Sequence, residues 1–295
     1  MSWIDHNTFV VASATALLGA AAGIAGCLLV LRRRALMGDA LGHATLPGIA
    51  LAYLVSVALG GTGKEQWMLL AGAAVGAGAG VVALLVVRRG ARVSDETAMA
   101  VVLGSFFGLG TALLTLIQAT PAGHQAGLSS FILGHAASMV ASDLQAAACV
   151  AAVCIALVML LAKELQLLCF DEAFARTIGR PVRLLDAFVL LIVMAVVIAG
   201  LQAVGLILIL ALLVLPATTA RFLTDRFATM VSLAAAIGSM SGVTGTLVSS
   251  LAPDLPTGPC IVLTASACFA LALVCAPHRG LIARARGSRA EGLSR

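Results

Sequence analysis

Charged and aromatic residues are both scarce in this chain. Asp, Glu, Lys and Arg make up 11% of its 295 residues, and Phe, Trp and Tyr 4%. So little charge cannot cover a water-soluble fold of this length. So few aromatics leave no interfacial belt from which helix depth can be read. The seven cysteines form no C-x-x-C pair. Cys27, Cys149, Cys154, Cys260, Cys268 and Cys275 lie in apolar runs and read as small fillers, whereas Cys169 falls in a polar stretch read as a loop. No H-E-x-x-H or G-x-S-x-G pattern is present. The nearest approach to a P-loop, Gly60–Glu65, has Ala58 where the first glycine belongs and Glu65 where a hydroxyl should hold magnesium. The chain is therefore not expected to be an enzyme. Its first residues, MSWIDHNTF, lack a basic signal-peptide region, so the first apolar segment is expected to be kept.

Apolar sequence is what the chain has in abundance. It is 61% hydrophobic with a mean hydropathy of +1.09, enough for roughly eight to ten spans of about 20 residues. Nine segments stand out, near 9–31, 35–59, 67–87, 97–118, 140–162, 184–201, 203–220, 228–251 and 257–276. The sixth and seventh nearly merge around Gly200, Gln202 and Gly205, where a tight hairpin is expected. With the N-terminus outside, alternating loops place every Lys and Arg except Lys64 on one side. Basic residues stay cytoplasmic, so nine spans with the C-terminus inside satisfy the charge pattern, and an eight-span arrangement would put a basic cluster outside. These arginines line span borders instead of forming one patch, so the pI near 9.0 does not point to nucleic acid. The reading is an all-α polytopic membrane protein: one transmembrane domain over 1–278 and a basic cytoplasmic tail over 279–295. Glycine pairs spaced by four, Gly19/Gly23, Gly72/Gly76/Gly80, Gly104/Gly108 and Gly238/Gly242, predict close helix crossings. Asp95 and Glu96 read as a helix start, and Asp143 as a cap of the fifth span.

Arg32–Tyr53, RRRALMGDALGHATLPGIALAY, carries the most chemistry. Asp39 and His43 are four apart, so on a helix they share a face, with Cβ atoms about 5–6 Å apart. Ionisable side chains inside a span mark a pathway by default. A carboxylate and an imidazole together suit a divalent cation, while two ligands fall short of a structural zinc site. A transported ion must leave again, which an incomplete site allows. A local hydrogen bond between the two, with Arg34 as a further partner, is the competing reading. Two copies of the chain meeting at a symmetric pore would bring two such pairs to one ion. Gly38, Gly42, Pro47 and Gly48 leave a continuous helix and a broken or partly re-entrant one both open. Pro216, Thr218 and Thr219 end the seventh span, and their hydroxyls either line a path or bond the preceding turn.

The longest polar interruption runs from Lys163 to Asp186. Asp171 is placed to cap a short helix, Glu172 suits its first turn, and Gly179 and Pro181 end it. With Arg176, Arg180 and Arg183 around it, this segment reads either as a docking element or as a solvated connector.

Three blocks, ALMGDALGHATLPGIALAYL, CFDEAFARTIGRPVRLLD and GLQAVGLILILALLVLPATTARFLTDR, closely resemble those of the metal-type ABC importer permeases of bacteria. The resemblance runs from about Arg32 to Pro277. It implies the all-α fold shared with vitamin B12 and siderophore importers. It implies that Asp39 and His43 are transient ligands of a transported ion, and that 171–181, with Asp171, Glu172, Ala173, Arg176 and Gly179, is the coupling helix. It further implies cytoplasmic ATPase subunits, an extracytoplasmic metal-binding protein, a second permease copy (identical or homologous) and a place in the bacterial plasma membrane. No permanently bound cofactor is expected; the metal is cargo. The blocks Gly127–Leu144 and LAPDLPTGPCIVL look closer to the manganese/iron branch than to the zinc branch. His135 stands where that branch usually has Gln, and with His124 it is a weaker metal candidate. A gradient-driven secondary transporter and a permease for heme or siderophore are the competing functions. The first is disfavoured by the few carboxylates within the spans, and the second by the Asp39/His43 block.

Overall fold

The computed structural model describes residues 6–61, 63, 65–91, 93–119, 139, 141–252, 255–276 and 280. Among them are eleven helices and no strand: α1 (His6–Leu31), α2 (Leu36–Ala58), α3 (Gln66–Ala91), α4 (Asp95–Gln118), α5 (Ala141–Leu160), α6 (Ala162–Phe170), α7 (Glu172–Thr177), α8 (Val182–Val204), α9 (Leu206–Leu223), α10 (Phe227–Ser249) and α11 (Thr257–Cys275). All but α6 and α7 are long and apolar enough to cross a membrane, and these nine coincide with the nine apolar segments of the sequence. A single residue, Gly205, joins α8 to α9 at φ +85°. Glycine enters that region without the steric cost other residues meet. Helix α2 is continuous, so the broken or re-entrant alternative is not adopted. Pro47 sits inside it and leaves one backbone carbonyl, that of His43, without its usual amide donor.

The bundle is organised around α1, which packs against α5, α8, α9 and α10 and is buried along most of its inner half. Small residues permit this. A Cβ on Gly19 would lie 2.3 Å from the Gly238 carbonyl oxygen, and one on Gly238 would lie 2.1 Å from that of Gly19. Backbone-to-backbone approach of this kind supplies packing where lipid offers no hydrophobic drive. Polar contacts reinforce the crossing. The hydroxyls of Thr15 and Thr246 lie 3.3 Å apart, and Ser239 donates to the Ala16 carbonyl at 2.9 Å. A second crossing of the same type joins α2 to α3, with Gly48 against Gly72 and Gly76. Gly104 and Gly108 share the spacing but not the role. Among the described residues nothing lies within 4 Å of a Cβ at either position, and both glycines are exposed.

Helix α1 ends in a Schellman motif. Arg34 N–H bonds the Leu29 carbonyl at 2.8 Å and Arg33 N–H bonds that of Val30 at 3.1 Å. Glycine is the usual residue at the left-handed position of this motif, yet here it is Arg33, at φ 56°. A non-glycine residue in that region costs on the order of 1–2 kcal/mol.

Candidate functional site

Asp39 lies in the first turn of α2, where the helix dipole favours a carboxylate. His43 follows one turn deeper. The side chains are 38% and 21% exposed, and His43 Nε2 lies 3.3 Å from Asp39 Oδ1. Phe107 of α4 meets the imidazole edge-on, with ring centroids 4.9 Å apart. His43 Nδ1 is buried and has no hydrogen-bond partner among the described residues. A buried, unpartnered polar atom is costly and calls for a reason. Nδ1 is not the atom that faces Asp39; the facing pair is Nε2 and Oδ1. Two ligands about 2.1 Å from one cation, at angles of roughly 90–109°, stand about 3.0–3.4 Å apart. The observed Nε2–Oδ1 distance of 3.3 Å falls in that range, so the separation is compatible with both atoms sharing one cation. Among the described residues no group of three or more His, Cys, Asp or Glu forms a fuller site.

The surroundings correct several expectations. Arg34 does not pair with Asp39; it bonds both oxygens of Asp186 at 2.8 and 2.9 Å and Asp95 Oδ2 at 2.9 Å. Burial works against its charge, but the bonds to Asp186 and Asp95 outweigh it, so the guanidinium holds its proton more firmly than usual. Gly38 and Gly42 admit leucines of α9: Leu213 and Leu206 each approach to 2.7 Å of where a Cβ would be. Thr218 and Thr219 donate to carbonyls of the preceding turn, at 2.8 and 2.6 Å. Asp95 and Glu96 open the first turn of α4 as expected, and Ser94 caps it. Asp143 sits in the first turn of α5, where its Oδ1 accepts a 3.5 Å bond from Gln202. Candidates His135 and His124 lie outside the described residues.

The segment from Asp171 forms the expected short helix. Asp171 accepts from Phe174 N–H at 2.8 Å. Gly179, at φ +77°, closes α7 with a second Schellman motif, Arg180 N–H bonding the Ala175 carbonyl at 3.0 Å. Glu172 pairs with Arg176 on its own helix and with Arg32 at 2.9 Å. Ala173 follows Glu172 in the first turn. The residues that composition did not single out here are Phe174 and Ile178, one turn apart and 53% and 49% exposed. Two exposed apolar side chains beside charged neighbours would have been the signal.

Cys169 is on α6, not in a loop. Burial pushes its thiol up to about 11, with Arg32 opposing and Asp186 adding to the rise. Because the thiolate is the reactive form, alkylation of Cys169 by iodoacetamide near pH 8 is expected to run about 100-fold slower than after unfolding. Mass-spectrometric labelling rates in folded and urea-treated protein check this; equal rates would show an exposed thiol.

The model of the ABC 3 transport family matches residues 5–276. The chain belongs to the ABC 3 transport family. It is 41% identical to the manganese transport system membrane protein of Bacillus subtilis over 95% of its own length, and spans 63% of that longer relative. It is 39% identical to the zinc transport system membrane protein of Treponema pallidum, over 94% of this chain and 92% of the relative. Among solved structures, it resembles a chain of PsaBC from Streptococcus pneumoniae in complex with Fab, at a TM-score of 0.78 and 28% identity over 93% and 94% of the two chains. An inward-facing transporter assigned to the metal-chelate ABC type, at 14% identity and a TM-score of 0.68 over 90% and 85%, shares the fold. Family membership and the nine apolar helices make this a multi-pass membrane protein with the fold expected from its sequence.

Proposed function

We propose that this chain is the membrane-spanning permease subunit of an ATP-driven importer for divalent metal ions, manganese first, with iron(II) and zinc as alternatives. The observation that carries the reading is the Asp39–His43 pair. It combines a cation-sharing Nε2–Oδ1 separation with a place on a span of a transport-family protein. The manganese-transport name of the Bacillus subtilis relative supports manganese, and the Treponema pallidum relative keeps zinc in competition. An Asp/His pair by itself binds zinc more tightly than manganese, so discrimination belongs to a separate extracytoplasmic binding protein. The permease domain covers 1–278, with the N-terminus outside and the tail 279–295 in the cytoplasm. A second permease copy brings another pair to the pore. ATP is bound and hydrolysed by separate cytoplasmic subunits, which grip α7. ATP binding there alternates the access of the pore, and the ion passes Asp39 and His43 on its way in.

The test is uptake of radioactive manganese, iron and zinc by cells lacking their own importers, expressing this chain with and without its ATPase and binding-protein partners. Uptake that needs all three supports the reading, and the highest flux names the metal. Uptake by this chain alone would replace it with a secondary transporter.

Docking at α7 has its own check. Phe174→Glu with Ile178→Glu, or Gly179→Val, is expected to cut co-purification of the ATPase at least about tenfold. The first removes the exposed apolar pair; the second places a β-branched side chain at positive φ. Undiminished complex formation and uptake would remove α7 from the interface.

A further inference from the structure

The arginines at the cytoplasmic border do more than mark a side. Six of the border charges form one continuous chain of ion pairs. Arg88 Nε bonds Asp95 at 2.7 Å; Asp95 bonds Arg34 at 2.9 Å; Arg34 bonds Asp186 at 2.8 Å; Asp186 bonds Arg32 at 3.0 Å; Arg32 bonds Glu172 at 2.9 Å. The chain starts at the α3–α4 corner, crosses the α1–α2 connection and the first turns of α8, and ends on α7. We propose that its central stretch, Glu172–Arg32–Asp186–Arg34, is the positioning link through which the place of α7 sets the place of Asp39 and His43. This rests on the permease reading above.

Three observations converge on it. First, the link is built where charge is expensive. The Arg32 and Arg34 side chains are 7% and 11% exposed and that of Asp186 21%. Packed apolar residues hold such positions at no worse stability, so a directional role accounts for the charges better than a stabilising one. Second, the backbone bends to serve it. Arg33 takes the left-handed conformation between the two arginines, and this turn lets both neighbours reach Asp186. Third, the link ends on the candidate site. The Arg34 carbonyl accepts from Met37 N–H at 2.9 Å, joining it to the first turn of α2, where Asp39 lies. At the other end Arg32 also donates to the Leu168 carbonyl at 3.0 Å, so the helix leading into α7 is held as well. Arginine suits a relay of this type because one planar fork holds several partners in fixed directions, which a lysine does not.

The experiment uses the complete transporter, with ATPase subunits and binding protein, in proteoliposomes, and reads metal imported per ATP hydrolysed. Arg32→Lys keeps the charge and its carboxylate partners compensated but loses the fork. It is expected to keep ATP hydrolysis within about twofold of wild type while metal per ATP falls at least about tenfold. Asp186→Glu, which keeps charge and lengthens the link, is expected to fall between the two. Arg221→Gln breaks a border pair outside the chain (Arg221–Asp225, 2.9 Å) and is expected to leave the ratio unchanged. An unchanged ratio in Arg32→Lys, or parallel loss of hydrolysis and uptake, overturns the link and leaves the permease reading standing. Absence of uptake by the wild-type complex overturns that reading and the link with it.

Discussion

Replacing Asp39 by Asn is expected to reduce metal uptake below about 1% of wild type while the amount of assembled protein in the membrane stays the same. The amide has the carboxylate's shape and can still accept a bond from His43, so the fold loses little. What goes is the negative charge and the strong oxygen ligand. Disturbing groups that merely support a metal ligand costs about 10–100-fold in affinity or activity, and losing the ligand itself costs more. His43→Phe separates function from structure more sharply. The imidazole carries a buried nitrogen with no partner and stacks edge-on against Phe107. A phenyl ring keeps that stacking and removes the unsatisfied atom, so this variant is expected to melt no lower than wild type and to transport nothing. Uptake assays and thermal unfolding in detergent check both. Normal uptake by either variant would exclude the pair as ligands, and a lowered melting temperature for His43→Phe would mean that the 3.3 Å contact of Nε2 with Asp39 stabilises the fold.

Gly238→Val is expected to be the most damaging substitution for the fold. Its Cβ would stand 2.1 Å from the Gly19 carbonyl oxygen, and backbone cannot rotate aside as a side chain can. Ordinary overpacking costs about 1–3 kcal/mol; here α1 and α10 must separate along their length, which exceeds that range and removes the Thr15–Thr246 and Ser239–Ala16 contacts too. Size-exclusion chromatography should show aggregate in place of a monodisperse peak. Gly104→Ala is the matched contrast. Among the described residues nothing lies within 4 Å of a Cβ there, and alanine is favoured over glycine within a helix by roughly 1 kcal/mol, so its melting temperature should hold or rise. A monodisperse Gly238→Val with wild-type stability would show that the crossing is looser than its geometry.

The contrast between these two glycines also marks what a sequence can tell. Spacing by four reveals that a helix has a smooth side; it does not say whether another helix lies there, so Gly104/Gly108 and Gly19/Gly23 read alike. The nine spans were legible because twenty apolar residues in a row have few alternatives in water. Asp39 and His43 were legible because ionisable groups are rare in such runs, and Asp171 and Gly179 because capping chemistry is local. The ion-pair chain was not legible. Apart from the neighbouring Arg88 and Asp95, its pairs are 61 to 154 residues apart in sequence, and the cytoplasmic bias of arginine already accounted for each one without a partner. Arg33 was hidden for a related reason: the helix end it makes is normally announced by glycine, and the residue there looks like one more border charge. Cys169 was misplaced because the polar residues around it belong to a helix outside the spans, which hydropathy alone reads as loop.

The position of α1 has a consequence for how the protein is made. Its hydroxyl at Thr15 is met by Thr246, 231 residues later. At synthesis rates of about 5–20 residues per second, the first helix enters the bilayer on the order of ten seconds to a minute before the one that fits its glycine face. During that interval the notched side of α1 faces lipid or the insertion machinery. The bundle closes only when α10 arrives, and a chain interrupted before that point carries an unfinished centre. Quality control in the membrane therefore has a simple mark to read: an exposed α1.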